Sequence, residues 1–145
     1  MPQKVIIEGP PPSKFILLGE DDPDDQELLK DVFSSIDSSF ILLFVNNGKE
    51  VLSALEKLND DQLPCLIVLD YNMPGLNGSD ILKEVGQNER YNEIPKVVWS
   101  TSGSDKFKKL CMELGAVDYV LKPSNNIDLE KIARYMLQLC NVGEY

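Results

Sequence analysis

The chain has 145 residues, 43% apolar and 26% charged, which is one ordinary domain able to bury a full core. Its formal net charge is -10 and it contains no histidine. The acidity argues against a nucleic-acid surface, which needs clustered Lys and Arg; the missing histidine removes Ser-His and Cys-His dyads, most zinc sites and any phosphohistidine carrier role.

Residues 1–13, with Pro10, Pro11 and Pro12, read as a mobile N-terminal tail ahead of a domain over 14–145. Residues 15–18 form an apolar run that predicts a first strand. Asp21-Asp22-Pro23 then opens a helix, in which Leu28, Leu29, Val32, Phe33 and Ile36 fall at helical spacing. A second run at 41–45 precedes Asn46-Asn47-Gly48 and a helix marked by Val51, Leu52, Leu55 and Leu58. The third strand, 65–69, ends at Asp70; the loop YNMPGLNG leads to a helix through Ile81, Leu82 and Val85. A fourth strand over 97–99 ends at Ser100, and Phe107, Leu110, Cys111 and Leu114 line the helix that follows, with Gly115 placed to cap it. The fifth strand, 119–121, ends at Lys122-Pro123, before a last helix carrying Leu129, Ile132, Ala133, Met136, Leu137 and Cys140.

Five unbroken apolar strands, each followed by an amphipathic helix, predict an α/β fold: a doubly wound, five-stranded parallel sheet covered on both faces. Cys65, Cys111 and Cys140 follow no zinc or CxxC spacing and each lies in an apolar run. All three read as small buried hydrophobes, fitting a reducing cytoplasm, and nothing approaches eighteen consecutive apolar residues.

Ligands of such sheets bind at the carboxyl ends of the strands. Those positions are Glu20 and Asp21, Asp70, Ser100 and Lys122. Three carboxylates sharing a site repel one another unless a cation lies among them, and oxygen-only ligands suit a hard ion such as Mg²⁺. An ammonium and a hydroxyl opposite that ion can hold phosphate oxygens, and a carboxylate can itself be a nucleophile.

The segments ILLGEDDP, VLDYNMPGLNG, VVWSTS and YVLKP, with Asp70 30 residues before Ser100 and Ser100 22 before Lys122, resemble the receiver domain of bacterial two-component response regulators in its stand-alone, CheY-like form. The resemblance implies a flavodoxin-like (βα)5 fold with strand order 2-1-3-4-5. Carried onto this chain, it implies Asp70 as phosphoacceptor, Asp21 as direct Mg²⁺ ligand with Glu20 acting through water, and a backbone carbonyl from Asn72. Which of Glu20, Asp21 and Asp22 form the acidic pair is a question of register; Pro23 selects the first two. Ser100 and Lys122 would hold the phosphoryl group, Ser100 and Tyr119 would form the switch, and Lys122-Pro123 would be a cis peptide. Gly19, where the family often has Val or Ile, suggests a loosely packed end of strand one.

The implied function is a self-phosphorylating, self-dephosphorylating switch rather than a turnover enzyme. It is charged by a sensor histidine kinase or phosphotransfer protein and signals to an unidentified protein target, with no nucleic acid and no membrane involved. Two alternatives stand beside it. Ser100-Thr101-Ser102-Gly103-Ser104 resembles the phosphate loop of an FMN-binding flavodoxin, though it follows strand four instead of strand one. An aspartyl-phosphate phosphatase of the haloacid dehalogenase type would need Asp two residues after Asp70, where Asn72 stands.

Overall fold

The computed structural model describes residues 15–141. The chain alternates β1 (Phe15–Gly19), α1 (Pro23–Ile36), β2 (Ile41–Val45), α2 (Gly48–Lys57), β3 (Leu66–Asp70), α3 (Gly78–Gly86), β4 (Lys96–Ser100), α4 (Asp105–Glu113), β5 (Asp118–Leu121) and α5 (Asn126–Asn141). Short 3-10 turns lie at Asp60–Gln62 and Glu89–Tyr91. All strand pairs are parallel and the order is β2-β1-β3-β4-β5, the doubly wound sheet the sequence predicts. The expected N-terminal tail lies outside the described residues.

The period of two along each strand divides the core. Leu17, Ile67, Leu69 and Val98 face α2, α3 and α4 through Val51, Leu55, Ile81, Leu82 and Cys111. Ile16, Leu18, Val68 and Trp99 face α1 and α5 through Leu29, Phe33, Ala133 and Met136. Truncating one of the buried Leu, Ile or Met side chains among these to Ala would cost about 2–5 kcal/mol. All five helices begin on side-chain caps: Asp22 for α1, Asn47 for α2, Asn77 in a capping box for α3, Ser104 for α4 and Asn125, accepting from Asp128 N, for α5. Capping fixes where each helix starts behind its strand, with two to four residues between them except after β3, where residues 71–77 intervene.

Four expectations are corrected. The end of β1 is tightly packed: a Cβ on Gly19 would lie 2.9 Å from Val51 Cγ2 and 3.0 Å from Met73 Sδ, so glycine leaves room for those neighbours. Cys65 and Cys140 are joined in a disulfide, because the last turn of α5 returns to the start of β3 and brings their Cα atoms within 4.8 Å; Cys111 alone is a buried free thiol. No cis peptide bond occurs among the described residues, so Lys122–Pro123 is trans. Along α4, Cys111 is buried and Phe107 and Leu114 pack against the core as expected, but Leu110 is 38% exposed, because this short helix covers the sheet near its β5 edge. Among the described residues no helix is long and apolar enough to cross a membrane.

Candidate functional site

The sheet register brings the expected residues to one rim. Asp70 ends β3 beside Trp99, and Ser100 ends β4 beside Leu121, so Lys122 emerges next to Ser100. Backbone bonds fix the exits: Glu20 N donates to Val45 O at 3.0 Å, Tyr71 N to Trp99 O at 3.2 Å, and Lys122 N to Ser100 O at 2.7 Å.

Lys122 Nζ is the centre of the site. It lies 2.8 Å from Glu20 Oε1, 2.9 Å from Asp25 Oδ2 and 2.9 Å from Asp70 Oδ2, and 4.8 Å from the centre of the Trp99 ring. Of the three donors of the ammonium, two go to Asp25 and Asp70, and the third side faces Glu20 as an ion pair. Burial by itself would lower the Lys122 ammonium, but its pairing with the carboxylates of Glu20, Asp25 and Asp70 outweighs it and holds it above the ordinary lysine range.

Glu20 is fully buried, which pushes its carboxyl up to about 7; Lys122 and the Asp22 N–H oppose the shift, and the charge of Asp70 adds to it. Oε2 accepts from Asp22 N at 3.0 Å, whereas Oε1 has no aligned hydrogen bond and is met only by the charge of Lys122. Glu20, Asp21 and Asp70 each offer an oxygen, all within 4.8 Å of one another. The carboxylate of Asp22 instead caps α1 by accepting from Asp24 N. Of the three consecutive acids, the first two therefore reach the cluster and the third does not. This oxygen-only set, with one buried oxygen lacking an aligned donor, fits a hard divalent cation.

The remaining residues surround this centre. Asn72 donates its backbone N–H to Asp70 Oδ1 at 3.0 Å, which orients the carboxylate. Ser100 is buried, and its Oγ accepts from Ser102 N at 3.0 Å. Tyr119 is buried too, and its hydroxyl donates to Ser102 O at 2.7 Å. Ser102 thus bridges the two residues read as the switch. Sequence reasoning missed Asp25: in the first turn of α1 it looks like an ordinary acid at a helix N-terminus. No local signal separates the two readings, because its partner Lys122 lies 97 residues further along the chain.

A sequence model of the response regulator receiver domain matches residues 16–134. The chain is 30% identical over 128 residues to the two-component response regulator ORR3 of Oryza sativa subsp. indica, covering 88% of this chain and 94% of that protein. It is 36% identical over 129 residues to the transcriptional regulatory protein CpxR of Klebsiella pneumoniae, covering 89% of this chain but 51% of that one. Among solved structures, the phosphorylated cyanobacterial phytochrome response regulator RcpA superposes with a TM-score of 0.79 at 26% identity, over 89% of this chain and 94% of that one. The Mn²⁺-bound response regulator Rcp1 does so at 0.74 and 30% identity, over 84% and 90%. Nothing in these likenesses supports a flavodoxin or a haloacid dehalogenase phosphatase. The chain belongs to the response regulator receiver domain family, whose members accept a phosphoryl group and signal through it.

Proposed function

We propose that Asp70 is the phosphoacceptor of this receiver and that Lys122 and Ser100 hold the group it accepts. The reading rests on one observation: the carboxylate of Asp70 is buried at the rim with one oxygen on Asn72 N and the other on Lys122 Nζ. An oxygen of Asp70 attacks the phosphorus of a phosphohistidine on a histidine kinase or phosphotransfer protein. The phosphorus–nitrogen bond breaks, and the imidazole leaves with its electron pair. Lys122 then pairs with the new phosphoryl oxygens, and Ser100 Oγ supplies a hydroxyl donor to another. Glu20, Asp21 and Asp70, with the Asn72 carbonyl, are the groups that would hold Mg²⁺, which when bound offsets the negative charge gathered at the reacting phosphorus.

The switch follows from the bridge at Ser102. A shift of Ser100 Oγ toward the phosphoryl group acts on Ser102, whose N–H it accepts from, and the carbonyl of that same residue holds the Tyr119 hydroxyl. Such coupling shifts a two-state equilibrium by the difference in contact energy between the states. The output is a protein contact. Incubation with Mg²⁺ and acetyl phosphate should add one phosphoryl group, seen by intact mass and released by hydroxylamine. Absence of the adduct, or its persistence in Asp70→Asn, would sink the reading.

A further inference from the structure

We infer that Asp25 is a positioning residue for phosphoryl transfer, tethering the Lys122 ammonium over Asp70; this deepens the proposed function and rests on it. Three carboxylates hold Lys122, and two of them have other work in that reading: Asp70 becomes an acyl phosphate, and Glu20 belongs to the oxygen cluster suited to a cation. Asp25 is outside that cluster. It is the one carboxylate left to hold the ammonium when the other two are engaged.

Its position suits the task. Asp25 is in the first turn of α1, fixed by the Asp22 cap and by Pro23, so its carboxylate is carried on rigid backbone. Its side chain is 25% exposed against 11% for Lys122, which places it on the solvent side of the ammonium. Lysine has a long, flexible stem, and an unanchored one would sample many rotamers. The Trp99 ring at 4.8 Å supports the ammonium from a further side but offers no directional acceptor. Donor count also favours a tether over a competitor. The ammonium has three donors, so one can stay on Asp25 while the one released by Asp70 and the one facing Glu20 meet phosphoryl oxygens.

The test is adduct formation by the full chain with Mg²⁺ over a range of acetyl phosphate concentrations, comparing the unmodified protein with Asp25→Ala and Asp25→Asn. Asp25→Ala should lower the maximal rate about tenfold, the scale of rotamer freedom that a released lysine regains, with little change in the half-saturating donor concentration. Asp25→Asn keeps an acceptor oxygen of the same shape and should recover most of that rate. The emission of Trp99, the only tryptophan in the chain, reads the same contact without any phosphodonor. It should shift in the Ala variant and stay near the unmodified value in the Asn variant. An Ala variant as fast as or faster than the unmodified protein overturns the tether. An Asn variant as slow as Ala assigns the effect to charge and overturns it as well. No adduct on the unmodified protein instead refutes the phosphoacceptor reading, and the tether with it.

Discussion

The two ends of the sheet use cations in opposite ways. At the carboxyl end one lysine, Lys122, is shared by three carboxylates. At the amino end Arg90 donates to the backbone carbonyls of Leu55 and Leu58 and pairs with Asp60, while Lys96 Nζ donates to Tyr91 O at 2.7 Å. Both lysines are largely out of water, yet burial lowers the Lys96 ammonium, only partly opposed by Glu93, whereas the Lys122 ammonium is raised. Burial alone therefore does not mark the functional end. What marks it is an excess of negative charge that a cation or a new arrangement of the lysine can relieve. Carbonyls at the other end have nothing to exchange, and the contacts there act as staples, joined by the Cys65–Cys140 disulfide.

This contrast can be broken by substitution. Lys122→Met leaves three carboxylates facing one another and should destabilise the metal-free protein by about 3–5 kcal/mol in urea unfolding. Added Mg²⁺ should return more stability to that variant than to the unmodified chain. Reducing the disulfide, which closes a span of 75 residues, should cost about 2–4 kcal/mol, read as a lower thermal midpoint. The phosphorylation rate should hold within twofold. Arg90→Ala should cost about 1–3 kcal/mol, with phosphorylation again unchanged. A large loss of phosphorylation in either amino-end variant would erase the distinction between the ends.

The smallest effect concerns pH. The Lys96 ammonium sits below its usual 10.5 in the folded state, so between the two values the unfolded chain binds more protons and stability rises with pH. Lys122 is raised, so its contribution is full below 10.5 and is lost only at more alkaline pH. The destabilisation caused by Lys96→Met should therefore grow as the pH rises towards 10.5, whereas the ammonium of Lys122 stays charged throughout that approach. Unfolding curves at a few pH values would separate them.

Much of this was legible in the sequence because buried parallel strands are written as unbroken apolar runs, and their last residues are the rim. Asp70, Ser100 and Lys122 could be read by position for that reason. Asp25 could not, since an acid pairing with a lysine 97 residues away looks the same as one facing a helix dipole. The Cys65–Cys140 pair was equally hidden: its spacing carries no motif, and proximity arises only once α5 packs back along the sheet. Gly19 misled for a related reason. A missing side chain reads as slack until the neighbours Val51 and Met73 are seen to occupy the space. The initial -10 also resolves into a place, because residues 20–31 hold seven acids and one lysine. Three of those acids, Glu20, Asp21 and Asp25, converge on the site.

The central claim is that Asp70 receives the phosphoryl group, and borohydride trapping tests it most directly. Reduction of an aspartyl phosphate yields homoserine, which tandem mass spectrometry of the digested protein can locate. After treatment with Mg²⁺ and acetyl phosphate, homoserine should appear at position 70 and nowhere else. Homoserine at position 21 or 25, or none at all in a chain that carries the adduct, would contradict the account.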